Sequence, residues 1–293
     1  MAVAAAAIED KARLGIVMML GAWFMFSLVD TGAKWLAVAG LPAFQLAFMR
    51  YAGHFVISLG VIAKDGLSVD RFATTHVGLV LLRAFLLMSA TLLNFYILRF
   101  LPLTVVSAIM FSSPVIVCFL SIYVLKERVG LWRWGAIVLG FIGVLIVVRP
   151  FDESFQLSAV FVIYNATAMA LYALITRKLS GIVAVDTMQF YTGLVGTAFT
   201  LPFALWAWQS PETVWGWCVL FSLGVSAWLG HQWLTNAHRY ATANTLMPYT
   251  YSFMIYVSVL GYALFGDVPD AYTLAGAAVI ICSGLIIWKR EQT

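Results

Sequence analysis

The chain has 293 residues, 63% of them hydrophobic and 10% charged, with a net charge of +4 and a mean hydropathy of +0.95. A water-soluble domain carries about 25% charged residues, so no ordinary aqueous surface can be built from this composition. Three cysteines inside apolar runs (Cys118, Cys218, Cys282) rule against a disulfide framework or a metal site, and the small net charge, gathered at segment ends, gives nucleic acid no footing.

The alanine-rich start leads through Glu9, Asp10, Lys11 and Arg13 into an apolar run too long for a secretory signal. A membrane-spanning helix needs about 20 mainly apolar residues. In chain order such runs fall near 13–37, 41–63, 74–97, 102–125, 130–148, 156–176, 186–207, 213–236, 242–264 and 270–288. Turn and charge signals separate them, among them Gly40-Leu41-Pro42, Lys64-Asp65-Gly66, Lys126-Glu127-Arg128, Arg149-Pro150 and Asp267-Val268-Pro269. With the N-terminus inside, twelve Lys and Arg residues fall on the cytoplasmic side and three on the other, the asymmetry the positive-inside rule requires. Both termini are then cytoplasmic, which demands an even number of spans. Ten meets that demand.

The chain also repeats itself. At an offset of 140, Arg99 pairs with Arg239, Phe100 with Tyr240 and Glu127 with Asp267. After a one-residue slip Gly135 pairs with Gly276 and Gly143 with Gly284, and upstream an offset of 144 pairs Lys34 with Lys178 and Gln45 with Gln189. The expected fold is therefore all-α, with a first five-helix repeat over 1–150 and a second over 151–293. Five is odd, so the two repeats would enter the bilayer with opposite sense. Basic Lys126 and Arg128 face Gly266 and Val268 in the alignment, as expected of copies on opposite sides of a membrane.

Ionisable groups inside a bilayer are costly and usually face the bundle interior. Asp30 and Lys34 are four apart in the first span and can pair, and Arg50 and His54 repeat that spacing in the second. Asp30, Lys34 and Arg50 are expected to form an ionic cluster toward the outer side, either a neutralised brace or an outer gate or proton site. Arg83 is expected to snorkel to the headgroups. The uncharged candidates for substrate contact are Trp23 and Ser27 in the first span, Ser89, Asn94 and Tyr96 in the third, and Ser112 in the fourth. Tyr164 and Asn165 in the sixth span, Trp228 and His231 in the eighth and Tyr249 in the ninth complete them. Pro114 and Pro248 are the expected helix bends, each freeing a carbonyl near mid-membrane. For each of these residues helix packing competes with substrate contact as the explanation. Together they offer acceptors, donors and an aromatic wall without a fixed charge, which suits a neutral amino acid.

With Pro114 and Glu127 in and after the fourth span, the Gly-rich run "GAIVLGFIGVLIV" in the fifth, and Pro248, Asp267 and "AGAAVIICSGLII" in the second half, the chain resembles the drug/metabolite transporter superfamily in its EamA-type ten-span form. Arg50 looks like the basic residue such families carry in the second span. The resemblance implies a multi-pass protein of the bacterial inner membrane, and is nearest to YddG-type exporters of aromatic and other neutral amino acids. Two departures from symmetry stand out: Pro248 lies six residues earlier in its span than Pro114, and Asp267 replaces the more usual Glu. The expected partners are a small-molecule substrate and the lipid bilayer, with the chain read as monomeric and without cofactor. No HExxH, GxSxG or P-loop motif occurs, so neither an intramembrane enzyme nor an ATP-driven pump is expected. An exporter of other metabolites or of toxic lipophilic cations is the alternative, and a channel or receptor a more distant one.

Overall fold

The computed structural model describes residues 2–64, 72–124, 130–149, 157–179, 182–241 and 246–291. The boundary residues Lys126, Glu127, Arg128 and Pro150 lie outside them, and the side chains of Pro114 and Pro248 are likewise not described. Among the described residues there are eleven α-helices, one 3-10 helix and no strand. The helices are α1 (Ala2–Val38), α2 (Ala43–Lys64), α3 (Val77–Ile97), α4 (Leu103–Met110), α5 (Ser113–Val124) and α6 (Leu131–Val148). Then follow α7 (Leu157–Leu179), α8 (Val185–Trp206), α9 (Val214–Tyr240), the 3-10 helix (Met247–Tyr251), α10 (Ser252–Phe265) and α11 (Ala271–Glu291).

Five apolar helical stretches are long enough to cross a bilayer: Ala12–Val38, Val77–Ile97, Leu103–Leu120, Leu157–Thr176 and Val214–Ala237. Shorter apolar helices cover Trp134–Val148, Tyr249–Phe265 and Ala271–Ile286. The polar residues Gln45, Arg50 and His54 dilute α2, and Asp186, Gln189 and Thr192 dilute α8. Large apolar side chains such as Val56, Phe85, Phe141, Phe221, Ile255 and Val259 point outward, the inside-out pattern of a protein solvated by hydrocarbon. The chain is a multi-pass membrane protein.

Helix ends follow from local chemistry. Gly40 takes a positive φ of 100°, and the Leu41 N–H reaches back to the Leu36 carbonyl at 3.0 Å, closing α1 in a Schellman turn. A related left-handed turn ends α10, where Gly266 has φ 69° and its N–H donates to the Tyr262 carbonyl at 3.0 Å, while the Asp267 N–H donates to the Gly261 carbonyl at 3.2 Å. That turn fixes where the Asp267 carboxylate is presented. The run expected to span 102–125 is two helices, α4 and α5, separated by Phe111 and Ser112 just ahead of Pro114. In the second half the 3-10 helix containing Pro248 leads into α10.

Among the helix pairs that join the first 149 residues to the remainder, four are extensive and antiparallel. Along α1 and α9, Gly15 lies against Ala241, Gly21 against Trp233 and Gly32 against Leu223. Along α2 and α8, Phe44 stacks on Phe203, Tyr51 covers Gly196 and Phe55 covers Gly193. Arg83 reaches Thr176 and Ser89 reaches Tyr164 between α3 and α7. Between α6 and α11, Ser283 donates to the Ala136 carbonyl, Gly143 meets Ile280, and Arg149 meets Asp270. The glycines permit the closest approaches: a Cβ added to Gly53 of α2 would lie 2.9 Å from the Cα of Gly224 in α9.

The main hydrophobic core gathers Leu36, Leu46, Ile97, Leu98, Leu103, Ile109, Leu220 and Leu223, all fully buried. It occupies the end of the bundle at which α1 finishes and α2 begins. The other clusters are smaller: one holds Met19, Ala237 and Leu246, and another Val80, Ile175 and Leu179.

Candidate functional site

Polar side chains converge beyond the main core, along α1, α2, α3 and α9. Asp30 of α1 accepts from Asn94 Nδ2 of α3 at 3.1 Å. Arg50, seven residues into α2 and so about 10 Å from its start, is 8% exposed. Its Nη1 donates to the Tyr51 hydroxyl at 3.1 Å and to Thr91 Oγ1 of α3. Tyr51 in turn donates to the Leu87 carbonyl at 3.0 Å. One turn beyond Arg50, the His54 ring lies 5.6 Å from the His231 ring of α9, edge to face. Phe26 packs on His231 at 5.0 Å and on Trp23 at 5.6 Å, and Trp23 continues to Phe253 at 5.5 Å. Trp228 sits three residues before His231 and so shares its side of α9. The structure thus brings Trp23, Asp30, Arg50, His54, Asn94, Trp228 and His231 into one neighbourhood.

The ionic cluster expected of Asp30, Lys34 and Arg50 is not what forms. Lys34 pairs with Asp267, Nζ to Oδ2 at 2.5 Å, and stands 4.7 Å above the Phe265 ring. Asp30 and Lys34 do share a helix face, but the α10 turn carries Asp267 to the lysine, while Asp30 turns to Asn94. Asp30 lies within the electrostatic range of Arg50, yet the ion pairs among the described residues are Lys34–Asp267 and Arg149–Asp270.

Arg83 does not snorkel. It is 3% exposed and spends its donors on Thr176 Oγ1 at 2.7 Å, Thr192 Oγ1 at 2.9 Å, the Met188 carbonyl at 3.3 Å and the Tyr172 hydroxyl. Snorkelling is open only to a side chain on the lipid face. Arg83 instead shares an inward face with Leu87, Ala90, Thr91 and Asn94, a polar stripe that helical spacing along α3 would have revealed.

Other candidates lie elsewhere. Tyr96, half exposed, is about 200° around α3 from Asn94 and packs on Phe100 at the periphery, so it cannot join the cluster. Ser89 and Tyr164 bond each other at 3.0 Å in an exposed position between α3 and α7. Ser27 is fully buried with its hydroxyl given to the Phe24 carbonyl at 2.7 Å. Asn165 is buried against α3, where with its amide reversed it donates to the Ala90 carbonyl at 3.2 Å. Ser112 is buried in the break between α4 and α5, and Tyr249 packs on the cluster of Met19 and Leu246. The two helix breaks meet: Phe111 lies 5.3 Å from the ring of Tyr251, where the 3-10 helix passes into α10.

Several buried polar atoms have no partner in the protein. Arg50 Nε, Trp23 Nε1, Trp228 Nε1 and His54 Nε2 belong to the cluster. Gln45 is the opposite case: it clasps the Gln209 backbone twice, at 2.7 and 2.9 Å, and anchors α2 to the α8–α9 connection. No group of three or more His, Cys, Asp or Glu among the described residues could hold a metal ion.

A helical membrane protein with an unsatisfied polar cluster between antiparallel helices has the form of a transporter. The EamA-like transporter family matches this chain twice, over residues 13–149 and 156–289, and the chain belongs to that family. It is 30% identical to a riboflavin transporter of Vibrio cholerae, covering 95% of each chain. It is 28% identical to an S-adenosylmethionine uptake transporter of Rickettsia bellii, over 92% of this chain and 93% of that one. A pseudopaline exporter of Pseudomonas aeruginosa is 26% identical, over 97% and 99%. One solved crystal structure superposes with a TM-score of 0.65 at 13% identity, covering 95% of this chain and 96% of that chain, a likeness of fold.

Proposed function

We propose that this chain is a secondary carrier that moves a small polar metabolite across a bacterial inner membrane by alternating access to the cluster of Asp30, Arg50, His54 and His231. The observation that carries the reading is the pairing of the two halves. Exchanging them turns the α1–α9 pair into the α7–α3 pair and maps α2–α8 and α6–α11 onto themselves, and all are antiparallel. A two-fold relation with opposite sense is what an inverted five-helix repeat over 1–150 and 151–293 would produce, with ten spans and both termini cytoplasmic. Such repeats place the substrate at their interface and rock about it. The main core and the Lys34–Asp267 pair gather at one end, the outer end in this topology, which supports a conformation closed to the outside.

Within that class, aromatic and other neutral amino acids remain the first substrates to test, for export. Trp23, Phe26 and Trp228 supply an apolar wall, and Asp30 and Arg50 supply separated charges of opposite sign. The named relatives include uptake and export of other metabolites, so the panel must extend beyond amino acids. A lipophilic cation fits less well, since among the described residues two buried arginines share the interior with Asp30 as the acid in range. Uptake of labelled metabolites into proteoliposomes tests the reading. Flux of at least one compound, reduced tenfold or more by Trp23→Ala or His231→Ala in protein that remains folded, is expected. Flux indifferent to Trp23, Trp228 and His231 would remove the site.

A further inference from the structure

Among the described residues, the charges buried around the cluster do not balance. Lys34 is neutralised by Asp267, but the first contacts of Arg50 and Arg83 are neutral: hydroxyls, a carbonyl and tyrosine rings. A guanidinium does not lose its proton in a protein. Asp30 is the acid within range of Arg50, so two fixed positive charges stand against one negative charge. His54 and His231 add no negative charge in either protonation state. A charge left uncompensated in a bilayer interior costs several kcal/mol, and proteins seldom carry that cost without a use.

The orphaned donors indicate where the missing negative charge would go. Buried polar groups are almost always hydrogen-bonded. Here Arg50 Nε, Trp23 Nε1 and Trp228 Nε1, which can only donate, have no acceptor, and His54 Nε2 has no partner. Gln189 Oε1, on α8, is the orphan that can only accept. Arg50 uses Nη1 on Tyr51 and Thr91, which leaves its Nε–Nη2 edge. That edge presents two parallel N–H groups, the fork that matches a carboxylate bidentately.

We infer that the transported molecule carries a carboxylate and that Arg50 is the residue that selects it, through its Nε–Nη2 edge, with the Trp23 and Trp228 indoles receiving the rest of the molecule. The assignment rests on the carrier reading and narrows it to a substrate class. An α-amino acid satisfies it, its ammonium then facing Asp30. A neutral or cationic molecule without an anionic group does not.

The test uses pairs that differ only in charge. The full-length protein in detergent is titrated with 3-phenylpropionate or 3-phenylpropionamide, and with indole-3-acetate or indole-3-acetamide, at constant ionic strength, and thermal unfolding is followed. Charge-assisted hydrogen bonds contribute about 1.5–3 kcal/mol, so half-saturation by each carboxylate should come at a concentration at least about tenfold below that of its amide. Arg50→Gln should erase the difference, and Arg50→Lys, which keeps the charge but not the fork, should restore part of it. Equal stabilisation by acid and amide, no stabilisation by either, or a preference that survives Arg50→Gln overturns the assignment. Flux of the same compounds in liposomes separates the two levels. Carboxylate preference without flux removes the carrier and leaves the site, whereas flux without preference removes the site and leaves the carrier.

Discussion

Lys34 and Asp267 are 2.5 Å apart, with their side chains 8% and 18% exposed, and they tie the end of α1 to the turn after α10. Removing one partner of a buried ion pair costs about 3–5 kcal/mol, because the other charge is stranded. Asp267 retains some access to solvent, so Lys34→Met should cost about 2–3 kcal/mol, toward the lower end. Asp267→Asn should cost about 3 kcal/mol, since it leaves the lysine with the Leu101 carbonyl at 3.4 Å and the Phe265 ring. The double variant Lys34→Met/Asp267→Asn strands no charge and should lie within about 1 kcal/mol of the parent, which gives a coupling of roughly 4–6 kcal/mol. Reversible unfolding in mixed detergent and SDS micelles measures the cycle. Single losses that add to within about 0.5 kcal/mol in the double variant would show two independent sites and refute the pair as a bond between the two helices.

Three further outcomes follow from the packing. Gly53→Leu should unfold the protein or prevent its assembly, because the Cα of Gly224 stands 2.9 Å from the first added carbon, and expression with size-exclusion behaviour reads this out. Arg83→Lys should cost about 2–4 kcal/mol in the same unfolding assay: one ammonium cannot span Thr176, Thr192, Tyr172 and Met188, and buried acceptors lose their donor. Asp270 caps α11 by accepting from the Thr273 N–H at 2.8 Å, so Asp270→Ala should cost about 1 kcal/mol and Asp270→Asn less. The bond to Thr273, aided by Arg149, holds the Asp270 carboxyl below its ordinary value of 3.8. Its contribution is therefore complete above that pH and lost as acid carries the pH down through the lowered value, a dependence that Asp270→Asn should remove.

What could be read from the residue string was what periodicity and composition encode. Apolar runs and turn signals marked the helices. The positions of Trp23, His54, Asn94, Trp228 and His231 around one neighbourhood follow from spacing on four helices, once those helices are assembled. The partner of Lys34 could not be read the same way. It depends on a left-handed glycine 232 residues away, at Gly266, that turns Asp267 back toward α1. Arg83 near a span end reads as a snorkelling residue when its depth alone is weighed, and its spacing to Leu87 and Thr91 along α3 was the legible sign that it faces inward. Its neighbours Tyr172, Thr176 and Thr192 belong to α7 and α8, far along the chain. Tyr96, two residues from Asn94, falls on the other side of the helix by spacing alone, which was legible in the sequence. The break between α4 and α5 came two residues before Pro114, where a proline lacking its N–H leaves the preceding turn unsupported.

Counterflow in proteoliposomes tests the central claim most directly. Liposomes containing the full chain are loaded with an unlabelled carboxylate metabolite that the protein binds, and entry of a labelled trace of the same compound is followed. A site exposed to one side at a time predicts that loading accelerates entry, that the tracer transiently accumulates, and that entry saturates with concentration. Entry that rises in proportion to concentration and ignores what lies on the far side would describe a pore and contradict alternating access.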